Sequence, residues 1–135
     1  MNNSGYVEVD HIADLAIRVW GKDIKSILTR AAEGLYAVMR VKYDSTSNNE
    51  REFILEKNNQ ENLLVDFLNE LLYLAENDYI YLDSIQFLEK SDAIVATAKT
   101  HKIQTIEREI KAVTYHELEI IECEQGLETT ITLDI

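Results

Sequence analysis

Only two stretches of this chain carry the period of an α-helix, and almost everything else with a pattern alternates like a strand. In Asp23–Met39 the apolar residues Ile24, Ile27, Leu28, Ala31, Ala32, Leu35, Val38 and Met39 recur at i, i+3 and i+4, which gathers them on one face. Asp23 is placed to cap the first turn. From Gln60 to Glu76 the residues Leu63, Leu64, Phe67, Leu68, Leu71, Leu72 and Ala75 repeat the pattern, and Asn58 with Glu61 resembles a capping box. Strand candidates are Tyr6–Val9, Leu15–Trp20, the stretch around Phe53 and Leu55, Tyr79–Glu89, Ile94–Ala98, Val113–Ile121 and Thr129–Leu133. Alternation fails around Asp83-Ser84, which predicts a bulge or turn there. Parallel neighbours need long crossovers, and two helices cannot supply them for this many strands. The expected fold class is therefore α+β: two layers, a mostly antiparallel β-sheet with two amphipathic helices packed on one face.

The 135 residues contain no proline and four glycines, so no flexible linker divides them, and a single domain over residues 1–135 is expected. Ser45–Asn49 reads as a polar connection of ordinary loop length. Cys123 is the only cysteine, which excludes an internal disulfide and any C-x-x-C site. The first residues lack the basic start and apolar stretch of a signal peptide, and no run approaches the roughly 18 apolar residues of a membrane span. The expected location is the cytoplasm. Thirteen Lys and Arg against 25 Asp and Glu leave a net charge of −12. Such a field repels nucleic acid, whose affinity comes largely from Lys and Arg on phosphates, and disfavours anionic membrane surfaces. A basic protein partner or a cation is favoured instead.

Three places depart from a plain domain. Asp10-His11-Ile12-Ala13-Asp14 puts two carboxylates and an imidazole into a short connection between strand candidates, a set able to ligate a divalent cation or simply to bond its own backbone amides. In Lys111–Leu118, strand alternation puts Thr114 and His116 on the face of Leu118 and Ile120, a possible pocket wall. At Ile131–Ile135, Asp134 stands beside the final carboxylate of the sequence, and paired anions repel unless a cation or basic group lies between them. Phosphate-loop, dinucleotide, nucleophile-elbow and zincin motifs are missing; His116-Glu117 begins like a zincin, but Ile120 fills the position of its second histidine.

Five motifs in order resemble the archease family, the protein cofactor of the GTP-dependent tRNA-splicing RNA ligase. Asp10–Asp14 resembles its D-H-T-A-D, and Ala31–Met39 its A-A-x-A-L-F-x-x-M helix. Leu68–Leu74 is similar to its L-N-E-L-L-Y-L, Lys111–His116 to its K-A-V-T-Y-H, and Asp134-Ile135 to its D-I ending. Ile12 departs from the family's threonine, and Gly126-Leu127 from a common Gly-Trp pair. The resemblance implies a cation site made of Asp14, Asp134 and the main-chain carboxylate of Ile135. It leaves Asp10, His11, Lys111, Thr114 and His116 as contacts to the partner or its nucleotide. Hard oxygen ligands suit Ca²⁺, Mg²⁺ or Mn²⁺. The implied function is activation of the ligase, by promoting its guanylylation and multiple turnover, rather than catalysis by this chain. GTP and tRNA are then met through the ligase, with no direct nucleic-acid binding. The alternatives are a stand-alone metal-dependent phosphoesterase or nucleotide hydrolase, and a general chaperone-like binding module.

Overall fold

Both helices form where the apolar period places them, and each is held at its start by a side chain. The computed structural model describes residues 3–10, 15–57 and 59–135, with the side chains of Asp10, Ser47 and Asn48 left aside. Its order is β1 (Gly5–Asp10), β2 (Leu15–Gly21), α1 (Ile24–Met39), β3 (Val41–Glu56), α2 (Gln60–Asp78), β4 (Ile80–Glu89), β5 (Ala93–Ile106), β6 (Ala112–Thr114), β7 (Ile121–Cys123) and β8 (Gly126–Asp134). Asp23 caps α1, its carboxylate accepting the Ser26 N–H at 2.9 Å. α2 is capped by Asn59, which accepts the Asn62 N–H at 2.7 Å; Asn58, the cap expected from the sequence, lies outside the described residues. Among the described residues no helix is long and apolar enough to cross a membrane.

The α+β architecture holds, with the strands divided between two antiparallel sheets. One has the order β1-β2-β8-β6, with β7 also paired to β8; the other has the order β3-β5-β4. α1 packs on β1 and β2, α2 on β3, β4 and β6, and the helices touch each other. Gly34 lets α1 approach closely, since a Cβ there would stand 3.0 Å from Ile17 Cγ2 and 3.2 Å from the Tyr6 ring. The core runs through both layers, from Ile17 and Ile131 of the larger sheet to Ile94 of the smaller, with Leu28, Leu35, Leu64 and Leu71 of the helices between them. Phe67 of α2 closes it on the smaller sheet, its ring 5.4 Å from Phe87 edge-on and 6.2 Å from Phe53.

Two irregularities shape the smaller sheet. At Asp83-Ser84 the register against β5 shifts and Ser84 adopts φ +54°, the bulge that broken alternation predicts. Ser45–Asn49, read as a connection, is instead an irregular passage within β3, where pairing to β5 jumps between Asp44 and Asn49. Asp44 steadies it by accepting the N–H and hydroxyl of Thr46 at 2.9 and 2.7 Å, bonds that hold its carboxyl below the usual range. The expected strand Val113–Ile121 breaks as well. It pairs as β6 and β7 at its two ends, with a turn between them in which Leu118 N–H reaches the Tyr115 carbonyl and Glu117 takes φ +52°.

Candidate functional site

The register of the larger sheet places four strand ends in one row. Asp10 pairs with Leu15, Leu15 with Leu133, and Leu133 with Val113; one step further out, Asp134 pairs with Ala112. The end of β1, the start of β2, the end of β8 and the start of β6 thus share one end of the sheet. The main chain ties them tightly there, with Lys111 N–H on the Asp134 carbonyl at 2.7 Å.

The expected residues fall unevenly about this end. Asp134 and Ile135 are exposed at it, and the exposed Lys111 sits beside them. Asp10 contributes its backbone as the last residue of β1. His11 and Asp14 lie outside the described residues, so of the three expected cation ligands only Asp134 and Ile135 are placed. Thr114 is half-buried opposite Thr132, and its hydroxyl accepts the His116 N–H at 3.3 Å. The expected inward face of this segment holds for Leu118 and Ile120, which pack against the core, and fails at two residues: Val113 is buried, while His116 is exposed beyond the end of β6. For His116 the cause is the early end of the strand, because alternation carries a side chain inward only while pairing lasts. Travelling from Lys111 to His116 also leads away from Asp134, since β6 and β8 are antiparallel. The 3.9 Å approach of His116 to Glu117 is solvent-exposed and contributes little.

Two positioning residues were not legible in the sequence. Asn69 of α2 accepts the Val113 N–H at 3.1 Å and donates to the Val113 carbonyl at 3.3 Å. β6 ends the strand order, so the Asn69 amide supplies the donor and acceptor that a further strand would have given. Glu61, expected to complete a capping box, instead accepts the Ile120 N–H at 2.9 Å. Together they fasten Ala112–Ile120 to α2 and so set where Lys111 stands against Asp134. The signal for Asn69 was a polar residue directly beside the apolar stripe of α2, a pattern that many solvated helix positions share.

Among the described residues no group of three or more His, Cys, Asp or Glu side chains stands close enough to hold a metal by itself. The donors placed at the sheet end are oxygens, and Asp134 is open to solvent, which suits a hard cation that keeps part of its water shell.

This α+β fold is also the form of known proteins. Residues 6–135 match the Archease protein family (MTH1598/TM1083), and the chain belongs to that family. It is 34% identical to the protein archease of Methanosarcina barkeri, covering 96% of this chain and 95% of the relative, and 32% identical, with the same coverage, to that of Methanosarcina mazei. The crystal structure of an archease, possible chaperone, from Thermotoga maritima superposes with a TM-score of 0.73 at 24% identity, over 94% of each chain. The solution structure of Methanobacterium thermoautotrophicum Protein 1598 gives 0.70 at 24% identity, over 97% of this chain and 99% of that one.

Proposed function

We propose that this chain activates the GTP-dependent tRNA-splicing RNA ligase, promoting ligase guanylylation and multiple turnover through a divalent cation at the acidic sheet end. The match to the archease family over residues 6–135 carries this reading. Asp14, Asp134 and the main-chain carboxylate of Ile135 hold the cation, which is Ca²⁺, Mg²⁺ or Mn²⁺. Asp10, His11, Lys111, Thr114 and His116 face the nucleotide or the ligase. When bound, the cation neutralises phosphate charge, the main demand of phosphoryl-type transfer. The chain's own part is placement. Asn69 and Glu61 fix the segment carrying Lys111, and the net charge of −12 speeds docking on a basic surface.

The test is ligase–GMP formation with a cognate ligase, GTP and Mg²⁺ or Mn²⁺. A substoichiometric amount of this protein accelerates guanylylation, and Asp14→Ala abolishes the acceleration while leaving the thermal transition in place. Full stimulation by Asp14→Ala removes the cation from the mechanism. A chain extended by one residue after Ile135 binds the cation more weakly; unchanged affinity removes the terminal carboxylate from the site.

One observation favours a second reading as a general chaperone. Ile54 (68% exposed) and Leu88 (57% exposed) both pair with Val95, forming an apolar row on the smaller sheet. A chaperone of that kind suppresses aggregation of unrelated proteins, and Ile54→Ser with Leu88→Ser ends the suppression without changing ligase guanylylation.

A further inference from the structure

The cleft between α1 and β4 lies apart from the sheet end and belongs to neither reading above. We propose that it binds an alkylammonium group, the chemistry shared by a lysine side chain and a free aliphatic polyamine. The cavity has a volume of about 200 Å³, the scale of one long side chain. Five consecutive residues, Tyr81 to Ile85, line it. A regular strand turns alternate residues to opposite faces. Here β4 is the edge of its sheet and the bulge at Ser84 turns that edge into the cleft wall. Ser84 keeps a left-handed backbone without being glycine, a strain that a structure retains where the local geometry is used.

The lining selects the ligand. No lysine, arginine or histidine is among the lining residues, while Glu33 and Asp83 supply carboxylates on opposite sides. Asp83 is held in place: His101 Nε2 stands 3.0 Å from its Oδ2, with the imidazole buried and stacked on Tyr43 at 5.2 Å. A carboxylate only accepts hydrogen bonds, so Nε2 carries the imidazole proton, and Nδ1 finds no partner among the described residues. Glu33 is bonded to Arg30 at 2.7 and 2.9 Å, and each of its oxygens keeps a further lone pair for a second cation. The phenols of Tyr36 and Tyr81 add neutral oxygens. Burial first of all pushes both well above the usual tyrosine range, and for Tyr81 the neighbouring Tyr43 and Asp83 add to it. An anion is opposed here by Asp83, and by Glu33 less strongly because Arg30 offsets its charge. A bare metal ion finds no third acidic ligand among the described residues. An ammonium at the end of a methylene chain finds acceptors for its protons and, in Ala32 and Ile85, apolar wall for its stem.

The experiment is amide NMR of the isotope-labelled full chain, titrated in separate arms with Nα-acetyl-lysine methylamide and with spermidine, each against sodium chloride of equal ionic strength. At least one amine produces saturable shifts confined to Glu33, Tyr36 and Tyr81–Ile85, and Glu33→Gln and Asp83→Asn each weaken that binding by about tenfold. Saturation by the lysine probe alone assigns the site to a partner's side chain, by spermidine alone to a free polyamine, and by both to the shared chemistry. No saturable shift at these amides, shifts spread evenly over the acidic surface, or unchanged affinity in both variants overturns the proposal. The spectra of the variants report their folding directly, and the ligase assay is independent of this result.

Discussion

Tyr36 carries a burden out of proportion to its single hydroxyl. Its oxygen accepts the buried N–H of Leu82 at 3.1 Å, joining α1 to the free edge of β4, while its ring lies 4.3 Å from that of Tyr81. Tyr36→Phe keeps the ring and strands the amide. It is expected to lower stability by about 1–3 kcal/mol, the usual cost of an unpaired buried group, read as a drop in the urea midpoint with an unchanged slope. Single residues were legible where the local chain alone decides their role. Asp23 caps α1 because its side chain reaches its own third neighbour, and the bulge at Ser84 was visible as lost alternation. Asn58 and Asn59 offer the same chemistry one position apart, and Asn59 is the one that caps. The roles of Asn69 and His101 depend on partners remote in the chain, Val113 and Asp83, and no local pattern announces them.

At the scale of elements, α2 does two things. It closes the core with Phe67, Leu68 and Leu71, and with Asn69 and Glu61 it grips a segment that has little pairing of its own. β6 is three residues long, so its place depends on this grip. Asn69→Ala is expected to cost about 1–3 kcal/mol and to speed amide exchange at Val113 selectively, with stimulation of the ligase falling because Lys111 is no longer fixed. The far end of α2 shows an opposite arrangement. Glu76 lies in the last turns, where the helix dipole disfavours an anion, and desolvation together with Glu109 raises its carboxyl above the usual value. A carboxyl whose folded value is raised binds its proton more readily in the native state. It therefore favours folding below its unfolded value near 4.5, and that benefit is lost as pH climbs through the raised folded value. Glu76→Gln should thus stabilise the fold at neutral pH by no more than about a few tenths of a kcal/mol, solvent screening keeping the effect small, read as a slight rise in melting temperature that is nearly absent in acid. The helices, the sheet class and most strands were legible because period is a local property. The division into two sheets and the break of Val113–Ile121 were not, because register and turn strain are settled between elements.

For the whole molecule, the net charge of −12 pulls in two directions. Self-repulsion opposes folding, and attraction to a basic partner speeds encounter. Raising monovalent salt from about 0.01 to about 0.1 M shortens the screening length from roughly 30 to roughly 10 Å. The melting temperature should rise over that range while ligase stimulation at limiting protein falls; parallel changes would show that charge does not govern docking. Chain connectivity adds a temporal order. The smaller sheet and α2 are built from a continuous stretch, whereas β2 and β8 come from opposite halves of the sequence and pair Leu15 with Leu133 and Gly21 with Leu127. Pairings between remote segments await the closure of everything between them and so form late. The row that sets Leu15 beside Leu133 at the sheet end is of that kind, whereas Asp134 meets Ala112 across a much shorter stretch of chain. A copy in which β2 has not yet met β8 therefore lacks the four-strand row, which exists only where two far-apart stretches of the chain have been brought together.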